Sequence, residues 1–338
     1  MDAAGEGSKI TKEGNAIMTD VSNVSPWKYS DSFFKDVLRL TVPERPAEID
    51  NLFSRLNVTI EANEDEACMR FCVDIDTHVI TIATSPLRRM WAHAYAYLTV
   101  YDLIAKATSR NPKTRELPAT DERFITAMAV LKWAMIGDAK VKIGPESKAL
   151  GPQEYPANIA LPFDPSSADP THKVASDLVV MSLGYILLHE IAHIELKHPI
   201  CEGADSIIME READAWAAAF LLDKCDLYAK QHGHKASDVR MKRLLALTIG
   251  ELWAVHFEVH LGVPEATSHP PTYERLANLL DQQANDGADI AWAMAATVLQ
   301  MHYQARYGMA DEGGGFDDFR ECYQFYADLM SKKPKRDF

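Results

Sequence analysis

This 338-residue chain contains an HExxH sequence, His189-Glu190-Ile191-Ala192-His193. The surrounding stretch has an apolar, helical pattern. A helix advances about 100° per residue, so histidines four apart project from one face, about one turn apart. Their imidazoles can share one tetrahedral Zn²⁺ and leave a position for water. Glu190 lies next to that face, where a carboxylate can take a proton from water that attacks a carbonyl. The pattern therefore predicts a hydrolytic site with one Zn²⁺ per chain.

A downstream acidic cluster supplies candidates for the third protein ligand that such a site needs. The sequence EREAD begins at Glu210, 17 residues after His193. On a helix, Glu210 and Asp214 share one face. We expect Glu210 to bind zinc, and Asp214 to accept a hydrogen bond from the far nitrogen of a ligand histidine, which fixes its tautomer. Glu212 points roughly 160° away and is the alternative ligand. An acidic first turn also stabilises any helix through its dipole, which is the structural alternative.

Three other histidines, His198, His256 and His260, also come into question as metal ligands. A helix continued to residue 198 would turn His198 about 180° from the two ligand histidines, so we expect it to face away from the metal. His256 and His260 are again four apart on a predicted helix. They could bind a second metal, but the sequence offers no matched third ligand nearby, and a structural role is the alternative.

The order of these motifs resembles known zinc peptidases. HExxH followed by ExxxD resembles the gluzincin pattern, and HPPTYERL, from His269 to Leu276, resembles the HP…ER segment of CAAX prenyl proteases and HtpX-like peptidases. Those relatives are mostly membrane-embedded. A chain with LLHEIAHIELKH, EREADAWAAAFLL and HPPTYERL in that order is most similar to the Lit-type phage-exclusion peptidases. No motif in the first 150 residues matches either family.

The resemblance implies a zinc-dependent endopeptidase that cleaves an intracellular protein. It places His269 and Arg275 near the reacting carbonyl, where they would stabilise the oxyanion. The structural alternative is that HPP ends a loop before a helix, with Arg275 paired to Glu274 or Asp281. A regulatory peptidase of the ImmA/IrrE sort, which cuts a repressor, is a second hypothesis. A third is an inactive, zinc-stabilised interaction protein, although the intact Glu190 argues against it.

Composition favours a cytoplasmic enzyme. The net charge of −14 and the pI of about 5.3 disfavour binding to nucleic acid and to anionic membrane surfaces. The first residues lack an apolar signal core, and no apolar run reaches the length of a membrane span. The five cysteines are odd in number and form no CxxC pair, as is typical of reduced thiols. We therefore expect a protein substrate as partner, no nucleic acid and no membrane insertion.

The predicted fold class is α+β, mostly α, with a small N-terminal sheet and helices followed by a helical, zincin-like catalytic region. NVTIE, MRFCVDI and HVITIAT, within residues 55–84, read as three strands. Ser85-Pro86 is typical of a helix start. Strand 79–84 or its neighbour could hold an extended substrate at a sheet edge by main-chain hydrogen bonds, unless the sheet only buries the next helix. Helices are predicted over 30–40, 85–108, 121–136, 172–198, 208–230, 236–261, 271–284, 287–307 and 316–332.

The same patterns predict four segments along the chain. Residues 1–26 are polar and read as a flexible segment. Residues 27–150 read as a mixed α/β part and residues 151–332 as the helical metallopeptidase part. Residues 333–338 read as a tail.

Overall fold

The structure is a computed structural model that describes residues 29–64, 71–110, 117–143, 155–156, 158–199, 204–261, 270–283, 289–308 and 316–332. The elements in these ranges are α1 (Asp31–Thr41), α2 (Pro46–Leu56), β1 (Thr59–Asn63), β2 (Phe71–Asp74), β3 (Val79–Ala83), α3 (Thr84–Arg110), α4 (Glu122–Ile143), α5 (Pro170–Glu195), α6 (Ala204–Leu222), α7 (Cys225–His232), α8 (Ala236–Leu261), α9 (Thr272–Gln282), α10 (Asp289–Tyr307) and α11 (Phe319–Ser331). The predicted α+β, mostly α class is confirmed.

The small sheet has the strand order β1-β3-β2. β3 pairs with β1 in parallel and with β2 in antiparallel fashion. Of the two alternatives for the substrate edge, strand 79–84 is excluded, because β3 has a strand on each side. Its neighbour β2 is an edge strand among the described residues, and it lies beside α5.

Helix α5 is the central element of the core and packs against α1, α3, α6 and α8. It begins at Pro170, and the Asp169 carboxylate caps it by accepting a hydrogen bond from the backbone N–H of Thr171 at 2.8 Å. By length and composition it is apolar enough to cross a membrane, but 61% of its most apolar window is buried inside the protein. That burial is typical of the core helix of a helical protein.

Close contact between α1 and α5 depends on Gly184. A Cβ atom at this position would lie 2.1 Å from Thr41 Oγ1. Thr41 Oγ1 donates a hydrogen bond to the carbonyl of Val37 at 2.8 Å and reaches the carbonyl of Val180 at 3.4 Å. Helix α1 is thus packed directly on the helix that carries His189 and His193.

Both predicted parts, 27–150 and 151–332, contribute side chains to one continuous hydrophobic core. The segment 1–26, the boundary at 150 and the tail 333–338 lie outside the described residues. The division of the chain into segments stays a prediction.

Candidate metal centre

Three donor side chains converge where α5 meets α6. His189 Nε2 lies 3.2 Å from His193 Nε2 and 3.3 Å from Glu210 Oε2. His193 Nε2 lies 3.5 Å from Glu210 Oε1. Tetrahedral Zn²⁺ with bonds of about 2.0–2.1 Å would hold its ligand atoms about 3.3 Å apart. Two imidazole nitrogens and one carboxylate therefore fit zinc both in chemistry and in spacing.

Small side chains on α6 allow this convergence. Ala213 and Ala217 are fully buried, and α6 packs against α5. Glu210 is buried at this contact, whereas Glu190, which follows His189 on α5, is half-buried. A carboxylate with partial access to solvent therefore follows the donor His189 directly on the same helix.

Asp214 fixes the orientation of His189. Its Oδ1 lies 2.9 Å from His189 Nδ1. Asp214 in turn accepts hydrogen bonds from Arg275, from Nε at 2.8 Å and from Nη2 at 2.5 Å. Burial raises the pKa of the Asp214 carboxyl, but Arg275 and His189 outweigh burial and hold that pKa well below its usual range. The ionised carboxylate accepts the Nδ1–H of His189 and so leaves Nε2 directed at His193 and Glu210.

The two histidines differ in their affinity for protons. Burial lowers the pKa of His189, but hydrogen bonds to Asp214 and Glu210 outweigh it and raise the pKa to about 10. Burial and the neighbouring His189 lower the pKa of His193 to about 3. Without a metal, a proton therefore binds more readily to His189 than to His193. A metal that binds both neutral imidazoles displaces that proton.

Arg275 is packed against the candidate metal centre. Besides Asp214, its guanidinium lies 3.6 Å from Glu210 and 3.8 Å from Glu251. The alternative in which Arg275 pairs with Glu274 or Asp281 is wrong. The acidic partners of Arg275 are Asp214, Glu210 and Glu251, and Asp281 pairs with Arg320 instead. The other residue predicted near the oxyanion, His269, lies outside the described residues.

His198 contacts His193, and the expectation that it faces away is wrong. The helix ends at Glu195, and Lys197 adopts a left-handed conformation with φ of 57°. The N–H groups of Lys197 and His198 donate to the carbonyls of Ile194 and His193, as in a Schellman motif. This turn brings His198 Nδ1 to 2.9 Å from His193 Nδ1. Helical angles do not apply beyond the last helical residue.

The sequence profile of the peptidase U49 family matches residues 80–295, a span that contains both donor helices and Arg275. The chain belongs to the peptidase U49 family. The Cell death peptidase of Escherichia coli (strain K12) is 23% identical over 285 residues, which are 84% of this chain and 86% of that protein. No solved structure matches significantly. This U49 chain is therefore a peptidase, and its resemblance to the Lit-type peptidases is confirmed.

Glu212, the alternative ligand, lies outside the donor cluster of this U49 peptidase. Its side chain is 57% exposed, and its Oε2 lies 3.2 Å from His198 Nε2. A chain of contacts therefore runs from His193 through His198 to Glu212.

Sequence reasoning missed two buried residues behind the centre, Tyr185 and Glu251. The Tyr185 hydroxyl donates to Glu251 at 2.8 Å and reaches Asp214 Oδ1 at 3.3 Å. Burial raises the pKa of Glu251 to about 7. The sequence contained an indication of each residue. Tyr185 lies one turn before His189, and between Arg243 and Glu258 the only acidic or basic residue besides His256 is Glu251.

Proposed function

We propose that this U49 peptidase is a zinc-dependent endopeptidase that hydrolyses a peptide bond of an intracellular protein. The observation that carries the proposal is the convergence of His189, His193 and Glu210, with donor atoms 3.2 to 3.5 Å apart. These three residues would hold one Zn²⁺. When bound, zinc would polarise the scissile carbonyl and lower the pKa of water toward neutrality.

Glu190 is the proposed general base. Its position on α5, directly after His189 and half-buried, suits a carboxylate that takes a proton from the attacking water. Glu190 then passes this proton to the leaving amine. Because the nucleophile is water, the reaction needs no covalent intermediate with the enzyme.

The remaining residues position these groups. Asp214, held by Arg275, orients His189, and His198 orients His193. We keep His269 as the proposed donor to the oxyanion. Arg275 is already engaged by Asp214, so we assign it the role of fixing Asp214, with its charge contributing to the field at the oxyanion.

An extended substrate segment would bind along β2. This edge strand lies beside α5, and an added strand forms main-chain hydrogen bonds that do not depend on the substrate's side chains.

The proposed cellular role is phage exclusion in the cytoplasm by cleavage of a host protein. It rests on the resemblance to Lit-type peptidases and on the relative named Cell death peptidase. The burial of α5 supports a peptidase that is not inserted in a membrane. The U49 match supports this role over an ImmA/IrrE-like peptidase and over an inactive interaction protein.

A Glu190→Gln variant tests the mechanism, because it removes the base and keeps all three metal ligands. We expect native zinc content by elemental analysis and loss of most cleavage, read by proteomics of cells that express the native protein or the variant. Glu195→Gln is the matched control, since Glu195 lies on the same helix but pairs with Arg55 at 2.8 Å. Equal cleavage by native protein and Glu190→Gln at equal zinc content would refute the mechanism.

A further inference from the structure

Four histidines meet in the core on three helices, apart from the catalytic donors. His93 comes from α3, His256 and His260 from α8, and His302 from α10. His93, His256 and His302 are at most 1% exposed. The His256 ring lies 4.4 Å from His93, 5.4 Å from His260 and 5.9 Å from His302, between ring centres. Imidazoles that displace aliphatic side chains from a helical core need partners for their nitrogens.

Three of these imidazoles have ligand atoms at short range. His260 Nε2 lies 3.0 Å from His302 Nδ1, close to the edge of about 3.3 Å expected for a tetrahedral zinc site. His256, His260 and His302 each have one ring nitrogen that lies within 4.8 Å of a ring nitrogen of the other two. The sequence near His256 and His260 offers no third ligand. In the structure the candidate third ligand is His302 on α10, 42 residues after His260.

Tyr97 suits the orientation that a ligand His302 requires. Its hydroxyl oxygen lies 2.9 Å from His302 Nε2, the nitrogen opposite the one that faces His260. If His302 Nδ1 binds a metal, its Nε2–H donates to Tyr97 Oη, and the hydroxyl can donate to the carbonyl of Leu252 at 3.4 Å. Such a partner on the far nitrogen is usual for ligand histidines.

The donor chemistry restricts the ion. Three imidazole nitrogens suit zinc and the neighbouring transition metals, whereas Mg²⁺ and Ca²⁺ prefer oxygen ligands. The nearby carboxylate of Glu258 is directed away, toward the backbone N–H of Thr272 at 3.1 Å.

We propose that His256, His260 and His302 form a second metal site that binds a divalent transition ion of the Zn²⁺ class. The ion would link α8 to α10, and α8 also carries Glu251, five residues before His256 and about 7.5 Å away along the helix axis. The second ion would therefore hold in place the helix that lies behind the catalytic centre.

Titration of the full-length, chelator-stripped protein with Co²⁺ tests the site by stoichiometry and by the visible spectrum of tetrahedral cobalt. We expect two equivalents for the native protein, one for His189→Ala/His193→Ala and one for His302→Phe. His172→Phe is the matched control, because His172 is also buried (2% exposed) and packs on Trp91 away from the cluster. This control should keep two equivalents.

The outcomes separate the two sites. Suppose that the native protein and His302→Phe each bind one equivalent of Co²⁺ and that His189→Ala/His193→Ala binds none. This result overturns the second site and leaves the catalytic proposal intact. Two equivalents in His189→Ala/His193→Ala overturn the catalytic ligands instead. If His302→Phe does not fold, the His189→Ala/His193→Ala protein decides. The melting temperature of this double variant should be higher with Zn²⁺ than with chelator. If the two melting temperatures are equal and the variant binds no Co²⁺, the histidine cluster is a metal-free part of the core.

Discussion

Replacing His198 by phenylalanine should weaken zinc binding without removing any ligand. His193 can bind zinc through Nε2 only when its proton is on Nδ1, and that N–H then donates to His198 Nδ1 at 2.9 Å. Phenylalanine keeps an aromatic ring at the edge-on contact, whose ring centres are 5.0 Å apart, but cannot accept a hydrogen bond. The variant thus isolates the hydrogen bond from the packing.

The size of the loss in zinc affinity depends on whether the zinc-bound or the metal-free protein loses the hydrogen bond between His193 and His198. In the zinc-bound protein, the Nδ1–H of His193 is left without its acceptor, at about 1–3 kcal/mol. In the metal-free protein, His193 can place its proton on Nε2, which lies 3.5 Å from Glu210, so little is lost there. The loss therefore falls on the bound state. We expect a drop in zinc affinity of about 10- to 100-fold, with the melting temperature of the metal-free protein little changed.

Competition with a chromogenic chelator measures this affinity, with circular dichroism as the check on folding. Glu212→Gln is the control, since an exposed partner contributes at most about 1 kcal/mol, or about fivefold in affinity. Native zinc affinity in a folded His198→Phe protein would refute the proposed tautomer. An equal fall for Glu212→Gln would show that the exposed carboxylate, and not His198, fixes the ring.

Four further variants test the site and its support. Glu210→Ala should lose most zinc by elemental analysis whereas Glu212→Ala keeps it, and the reverse result would transfer the ligand role. Gly184→Ala should destabilise the protein by about 1–3 kcal/mol in denaturant unfolding, because the new Cβ overlaps Thr41; an unchanged midpoint would contradict the close packing. His269→Ala should lower kcat by roughly 10²–10³ with KM little changed. Normal turnover in a less stable protein would instead assign His269 to the helix start.

Much of the fold could be predicted because local patterns decide it. α8 spans the predicted residues 236–261, and α1 begins one residue after the predicted start because Ser30 caps it. α2 was missed although Pro46 lies at its first turn, since the nearby prolines resemble those of a loop. The predicted helix 208–230 is two helices, α6 and α7, with a break at Asp223 and Lys224. No glycine or proline marks that break; Lys224 forms an ion pair with Glu48 on α2, a contact between distant residues.

The part of the candidate site that lies on α5 and α6 could be predicted from helical spacing. His189, His193, Glu210 and Asp214 are adjacent because residues four apart share a face and alanines let α6 approach α5. His198 could not be placed by the same rule, because a left-handed lysine, in the position glycine usually takes, ends the helix. The third histidine of the second cluster comes from a different helix, and no spacing within α8 indicates it.

The contact between Thr41 and α5 has a consequence for the protein during its synthesis. The hydroxyl of Thr41 and the carbonyl it reaches on Val180 are 139 residues apart in the chain. At roughly 5–20 residues per second, a ribosome needs roughly 7 to 28 s to make the intervening segment. During that interval the face of α1 that carries Thr41 lacks its packing partner α5; Phe34 and Leu38, which lie two turns and one turn before Thr41, are fully buried in the folded protein. The nascent chain is therefore most prone to aggregation before α5 has emerged.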